Sequence, residues 1–388
     1  MRTRPTLQTA STGLVVAIVG FFSSFPIILQ GLTSVGASQA EAASGLMAAA
    51  VAMGIAGIAL SVWKREPISV AWSTPGVALL AVTPALADGF GGAVAGFLVA
   101  GALTILSGLW KPLGRLATTV PPSLAQALLA GVLVSLCAAP FQALAVTPAT
   151  ALPILLTWFL VSRVYRLFAV PAAVIAAIIV TLIANDGSLA LPAQTFSAPV
   201  LTGPIFSLDA ILQIGLPLYI VTMATQNIPG IAILRSYGYT PPAGPLFAGV
   251  GAASVLSAPF GAPATCLAAI TAALCAGPDS HPDPRARWWS AVFGGVIYCL
   301  FGLFAAVITT IAASAPDMLL ETLTGVALIS VFINAASAAL AEPSEREAAG
   351  VTFLVTASGM SFLGLGAAVW GLILGAGVLA LSKALKKE

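Results

Sequence analysis

Between Arg4 and Lys64 the chain carries a single charged side chain, Glu41, in 59 residues, and charge-poor stretches of this kind recur to its end. A helix crosses a bilayer with about 20 predominantly apolar residues. With 59% hydrophobic and 7% charged residues over 388 positions, the sequence describes a mostly lipid-embedded helical protein rather than a soluble core. Its net charge of +2 comes from basic residues spread through short loops. No aromatic-laced basic patch forms, which argues against a nucleic-acid partner. Cys137, Cys266, Cys275 and Cys299 all fall in apolar stretches without a CxxC pair and read as small buried hydrophobes, implying neither disulfide nor metal. The only histidine, His281, sits in the hydrophilic loop GPDSHPDPRAR, where a solvated side chain is expected. No cofactor is expected either. The first apolar run lacks a cleavage motif, so the first helix is expected to be retained.

Breaking the apolar runs at charge, proline and glycine clusters predicts an all-α polytopic membrane protein with spans near 13–35, 43–62, 68–87, 90–109, 119–142, 148–162 and 168–185. A second set follows near 206–234, 244–258, 260–276, 288–313, 317–340, 345–361 and 362–381. This fourteen-span count places every lysine and arginine on one side: Arg2, Arg4, Lys64, Arg65, Lys111, Arg115, Arg163, Arg166, Arg235, Arg285, Arg287, Arg346, Lys383, Lys386 and Lys387. By the positive-inside rule that side is the cytoplasm, with both termini in it. Seven spans per half is an odd number, so the halves are expected to be inverted repeats.

One span is expected to be broken. In ISVAWSTPGVALL, residues 68–80, Ile68 to Val70 favour extended backbone, Ser73 or Thr74 suits an N-cap, and Pro75 suits the first helical turn. A helix starting in mid-membrane presents open N–H groups and the positive end of a dipole, which an anion in a protein cavity can answer. The same construction is read at 259–275, PFGAPATCLAAITAALC, with Pro263 in the place of Pro75. The two half-helices would then point their N-termini at each other. A second pairing aligns FFSSFPIIL (21–29) with ATQNIPGIA (224–232), matching Pro26 with Pro229 and Ser23-Ser24 with Gln226-Asn227. Each proline frees the carbonyl four residues back.

The stretches AWSTPG (71–76), TMATQNIPG (222–230), APFGAP (258–263) and VTFLVTASG (351–359), in this order, resemble the bacterial benzoate:proton symporter family over nearly the whole chain. They are more distantly similar to nucleobase permeases and sulfate-type anion transporters. The resemblance implies a 7+7 fold divided into a core domain (1–117 with 206–315) and a gate domain (118–205 with 316–388), the core moving past the gate like an elevator. It implies a bacterial inner-membrane location, a small aromatic carboxylate and protons as transported partners, surrounding lipid, and by analogy a homodimer. Carried over by position, the substrate contacts are Trp72, Ser73 and Thr74; Gly261, Ala262, Ala264 and Thr265; Gln226 and Asn227; and Phe22 with Ser23 or Ser24. Nucleobase permeases place carboxylates in spans 8 and 10, whereas this chain has Gln226, Asn227, Thr265 and Cys266 there. A neutral, dipole-rich pocket suits an acid.

Several of these residues also have purely structural readings. Ser73 and Thr74 can simply cap. Ala262 cannot cap through its side chain, which would leave donors near Ala264 and Thr265 open, and Thr265 can alternatively bond back into its own helix. Gln226 and Asn227 need partners, from protein or ligand. Phe21, Phe22, Phe25, Trp72 and Phe260 can stack on an aromatic ring or on one another. Gln126 and Asn334 are expected in helix-to-helix hydrogen bonds. Asp209 and Asp317 are read in first helical turns, and Ser344 with Glu347 as a capping box. Glu321 is the acid nearest the membrane interior and the candidate proton carrier, the alternative being a proton held by water. An inorganic-anion or nucleobase carrier and an anion channel are the competing functions. No DxxD pair, usable histidine or G-x-x-x-x-G-K-[ST] supports an enzyme or an ATP-driven pump.

Overall fold

A computed structural model describes residues 4–110, 112, 121–188, 191, 192, 194–363 and 365–385. Arg2, Lys111, Arg115, Lys386 and Lys387, and the expected 117/118 domain boundary, lie outside the described residues. The elements are α1 (Leu7–Phe22), α2 (Phe25–Ser34), α3 (Gln39–Lys64), β1 (Val70–Trp72), α4 (Thr74–Ala81), α5 (Gly89–Leu109), α6 (Pro122–Val146), α7 (Pro148–Val164) and α8 (Ala169–Ala184). They continue with α9 (Ala210–Ser236), α10 (Ala243–Ser257), β2 (Thr265–Leu267), α11 (Ala269–Ala276), α12 (Trp288–Leu303), α13 (Ala305–Ala313) and α14 (Leu319–Ala339). The chain ends with α15 (Arg346–Ala357), the short strands β3 (Ser361–Phe362) and β4 (Leu365–Gly366), and α16 (Ala367–Leu385).

Among the described residues, ten helical segments are long and apolar enough to cross a membrane, α1 with α2 counting as one. The other four predicted stretches hold shorter elements: two strand-then-helix units, the 17-residue α7 and the 12-residue α15. Helices α1, α3, α5, α10 and α12 pack on one another, and α6, α14, α15 and α16 form a second group, with α7 and α8 paired beside it. Close crossings depend on glycine. A Cβ placed on Gly54 of α3 would stand 2.5 Å from the Gly295 carbonyl oxygen of α12, so only a bare backbone permits that approach.

Prolines shape the long helices. Pro26 has no N–H to offer the Phe22 carbonyl, and the first helix breaks at Ser23-Ser24. The serine hydroxyls turn back into the preceding turn, Ser24 donating to the Gly20 carbonyl at 3.0 Å and Ser23 to that of Val19. In α9 the same deficit is absorbed by widening: π-helical turns at Ala210–Gly215 and Met223–Asn227 each end two residues before a proline, Pro217 and Pro229. Three minor expectations are corrected. Helix α14 starts at Leu319 behind a left-handed Met318, so Glu321, not Asp317, is the acid of its first turn. The N-cap of α15 is Glu345, and the Ser344 hydroxyl donates to Glu342 at 2.8 Å instead of forming a box with Glu347. Gln126 and Asn334 make no helix-to-helix hydrogen bond among the described residues.

Residues 197–205 run across one face as a strap. Their backbone N–H groups donate from Ser197 to the Leu303 carbonyl (2.9 Å), Val200 to the Ser44 hydroxyl (2.8 Å), Thr202 to the Pro259 carbonyl (2.8 Å) and Ile205 to the Gly91 carbonyl (2.9 Å). On another face the loops after α3, α9 and α11 meet. The Tyr239 hydroxyl donates to the Pro284 carbonyl (2.9 Å), and buried Arg287 donates to the Ala276 carbonyl (2.7 Å) at the C-terminus of α11, where a cation complements the dipole. Beside them is Glu66. Burial holds its carboxyl above the ordinary value of 4.5, outweighing a hydrogen bond from the Thr240 N–H and the nearby Lys64. A carboxyl raised on folding binds its proton more readily in the folded state. Its stabilising share is therefore complete below 4.5 and is lost as pH climbs through the raised folded value. Glu66→Gln is expected to raise the melting temperature of the detergent-solubilised protein at neutral pH and to flatten the loss of stability above 4.5. An unchanged pH dependence of the melt would sink this assignment.

Candidate functional site

The centre of the molecule is a two-stranded antiparallel sheet joining the two halves of the chain, with Val70 opposite Leu267, Ala71 opposite Cys266 and Trp72 opposite Thr265. Two backbone bonds extend it, from the Ser73 N–H to the Ala264 carbonyl (2.8 Å) and from the Ala268 N–H to the Ser69 carbonyl (3.0 Å). Each strand runs directly into an eight-residue helix, β1 into α4 and β2 into α11. Because the strands are antiparallel, the helices leave in opposite directions and their N-termini face each other across the sheet.

At α4 the capping residue is Ser73. Its hydroxyl accepts from the Gly76 N–H (3.1 Å) and from the Thr222 hydroxyl (2.7 Å). Pro75 has no N–H, and the Thr74 N–H and half-buried side chain have no partner among the described residues. At α11 the cap position is Ala268, which offers no side-chain acceptor. The N–H groups of Ala269 and Ile270 have no acceptor among the described residues, and Ile270 is 68% exposed, so protein does not wall off this turn. Two positive helix ends with open donors therefore face each other from opposite ends of the sheet, and β1, α4, β2, α11 and the π turn of α9 contain no Asp or Glu. An anion fits such a place electrostatically.

The second half-helix starts at Ala269, not at Pro263. The two halves are related by an offset of 195 positions, as the central pair Ala71 and Cys266 records, and not the 188 implied by matching the prolines. Proline suits the extended chain leading into a strand as well as a first helical turn, so Pro263 misdirects the alignment. Gly261, with φ of +86°, turns the chain beside Gly45 and the Glu41 carbonyl, and Ala262 follows it in that turn, before the sheet. Ala264 contributes its carbonyl to Ser73. The Thr265 N–H is not open: it donates to the Ser254 hydroxyl at 2.8 Å. The Thr265 hydroxyl is buried with no partner among the described residues, and it does not bond back.

The two polar residues of α9 separate. Asn227 is fully buried; its Oδ1 accepts from the Leu267 N–H (2.9 Å) and its Nδ2 lies 3.2 Å from Met223 Sδ, so it fastens β2 to α9. Gln226 is half-buried and has no partner among the described residues. On the other side, the Trp72 indole N–H donates to the Ser24 hydroxyl at 2.8 Å. Phe21 packs edge-on against Trp72 (5.4 Å between centroids), Phe22 (5.5 Å) and Phe301 (5.2 Å), and Phe22 against Phe25 (6.1 Å). Phe260 joins no ring pair among the described residues; its carbonyl accepts from Ser44 at 2.9 Å. Sequence reasoning missed Thr222, Ser254 and Phe301. Thr222 stands at the head of the motif TMATQNIPG, whereas Ser254 and Phe301 carry no local signal.

Apolar helices of membrane-crossing length gathered around this paired centre are the build of an integral membrane protein. Residues 4–381 match the family of the benzoate membrane transport protein, and the chain belongs to that family. It is 38% identical to the inner membrane protein YdcO of Escherichia coli over 95% of this chain and 94% of that one. To the benzoate membrane transport protein of Acinetobacter baylyi it is 29% identical, over 95% and 93%. Among solved structures it resembles the transmembrane domain of a cyanobacterial bicarbonate transporter, BicA, with a TM-score of 0.66, 17% identity and 97% and 99% of the two chains covered. The fold is thus shared with that transmembrane domain.

The separation of Gln226 from Asn227 is testable. Asn227→Leu leaves the Leu267 N–H buried and unanswered, which costs about 1–3 kcal/mol, and a lowered thermal melt is expected. Gln226→Leu is expected to leave the melt within about 0.5 kcal/mol of wild type. Equal losses of stability in the two variants would contradict the division.

Proposed function

We propose that the protein is a secondary transporter importing benzoate or a related aromatic carboxylate together with protons. The observation that carries this reading is the pair of half-helix N-termini with unanswered N–H groups at Thr74, Ala269 and Ile270, in surroundings without a side-chain carboxylate. The name of the Acinetobacter relative supports the substrate. The carboxylate sits between the helix ends, bound by backbone donors and by Gln226, with the Thr74 and Thr265 hydroxyls at the rim. Trp72 and Phe22 face the ring side. Ser23 and Ser24 contribute indirectly, by breaking the first helix and holding Trp72 in place.

In this reading the chain has fourteen spans in two inverted sets of seven. Residues 1–117 and 206–315 form a core that carries the sheet, and 118–205 and 316–388 form the gate past which it slides. The two groups of helices described above support that division. The bacterial relatives support an inner-membrane location, the basic residues support cytoplasmic termini, and analogy of fold supports a homodimer. No site residue is acidic, so the proton travels with the substrate or its water, Glu321 in the first turn of α14 being the competing candidate.

Uptake of radiolabelled benzoate into proteoliposomes tests the proposal. Saturable uptake, accelerated by an inward proton gradient, blocked by unlabelled benzoate and indifferent to sulfate or uracil, is expected. Conductance without saturation or counterflow would make the protein a channel and defeat the carrier reading.

A further inference from the structure

Where α3 ends beside the start of α12, two cations rest on rings instead of on carboxylates. The Lys64 ammonium stands 3.5 Å from the centre of the Trp63 ring, and the Arg65 guanidinium 4.9 Å from that of buried Trp288. Neither makes an ion pair among the described residues, where the pair formed is Arg285 with Asp283. Glu66, next along the chain, lies within the field of Lys64 but accepts its hydrogen bond from the Thr240 N–H. Arg65 takes the C-cap of α3 with φ of +57°, a left-handed conformation that glycine or asparagine usually supplies. The turn ends the helix with the arginine side chain lying across on α12. A guanidinium seated on an indole face keeps its N–H donors at its edge, and Arg65 is exposed. A phosphate oxygen can therefore reach those donors.

Away from the two cations the same surface is hydrocarbon. Ile55, Ala59, Val62 and Trp63 recur at helical spacing on α3 and are all exposed, Trp63 by 57%. Val296 and Leu300 do the same on α12. The two helices run antiparallel: Arg65 meets Trp288 at one end, and Ile58 packs on Gly295 further along, beside the Gly54 crossing. Helical spacing puts both exposed rows on one side of this seam. From Ile55 to Val62 the row on α3 is roughly 10 Å long at 1.5 Å per residue. We propose that the α3/α12 seam binds an anionic phospholipid, its phosphodiester on Lys64 and Arg65, an acyl chain along the apolar rows and Trp63 at the boundary between them. Free phosphate has nothing to lay on those rows, and a zwitterionic lipid brings its own cation beside the phosphate. The inference stands apart from the transported substrate and goes beyond it.

The test is competition for the detergent-solubilised full chain. Binding of phosphatidylglycerol with a pyrene-labelled acyl chain is read by energy transfer from tryptophan, and unlabelled phosphatidylglycerol, phosphatidylcholine and inorganic phosphate compete with it. Wild type is expected to prefer phosphatidylglycerol to phosphatidylcholine by about tenfold or more, and inorganic phosphate is expected not to displace the label at the same concentration. Lys64→Gln with Arg65→Gln is expected to bring the ratio of the two lipids to within about twofold of unity. Arg235→Gln with Arg346→Gln removes the same two charges from exposed positions elsewhere and is expected to leave the wild-type ratio unchanged. A ratio between two lipids does not depend on how much protein is folded, so a damaged variant does not mimic the effect. Equal competition by the two lipids in wild type would overturn the proposal, as would an equal fall in both double variants, which would assign the preference to overall charge. Displacement by inorganic phosphate as readily as by the lipid would make this a site for a free anion and overturn it too. Absence of lipid binding, with a dimer that Trp63→Ala dissociates, would give the face to a second copy of the chain. None of these outcomes depends on benzoate uptake.

Discussion

Everything at the centre of this molecule depends on six residues of backbone pairing. Lipid offers no hydrogen bond to a peptide group, and each unsatisfied one costs several kcal/mol there. A span can begin its helix halfway across only if the extended residues before it find partners. Val70–Trp72 and Thr265–Leu267 provide that for each other, and Asn227 and Ser254 take up N–H groups on the outer edge of β2. The sheet thereby supports two helix beginnings whose first N–H groups stay open, and the proposed anion site is built on them. Neither half of the chain has the arrangement by itself.

This dependence explains what the sequence revealed and what it concealed. The first strand-to-helix unit was legible because Ser73 and Pro75 mark a helix start and Val70 an extended approach, all within six residues. The second was legible as a unit of the same kind but not in register. Its helix starts with Ala268 and Ala269, which carry no capping signal, and Pro263 supplied a false one. A strand of three residues has no period long enough to fix its phase, so register came only from the partner strand 195 positions away. The same limit separates Gln226 from Asn227. They are adjacent and chemically alike, and which one faces protein is decided by the π turn they occupy, a response to Pro229 that widens the helix and has no signature of its own.

The site is also notable for how it avoids charge. It carries no lysine or arginine to bind an acid and no carboxylate to bind a base, but uses peptide dipoles fixed in direction by the sheet. Such donors need no counter-ion when vacant and cannot lose a proton, so in the proposed site binding strength would follow the ionisation of the ligand. The surroundings are equally uncharged: Trp72, Phe21, Phe22, Phe25 and Phe301 form a continuous group of rings. The organic acid proposed as substrate, polar at one end and apolar over the rest, suits that division of labour.

The pairing of β1 with β2 also sets a clock for biosynthesis. Thr265 leaves the ribosome 193 residues after Trp72. At a synthesis rate of about 5–20 residues per second, β1 waits on the order of 10–40 s for its partner. During that time its peptide groups cannot be left in lipid. The nascent first half must therefore keep this segment in the aqueous interior of the insertion machinery, or satisfy it with temporary bonds that β2 later displaces. Membrane insertion of the early spans is thus separated in time from completion of the site, which cannot exist until more than two-thirds of the chain has been made.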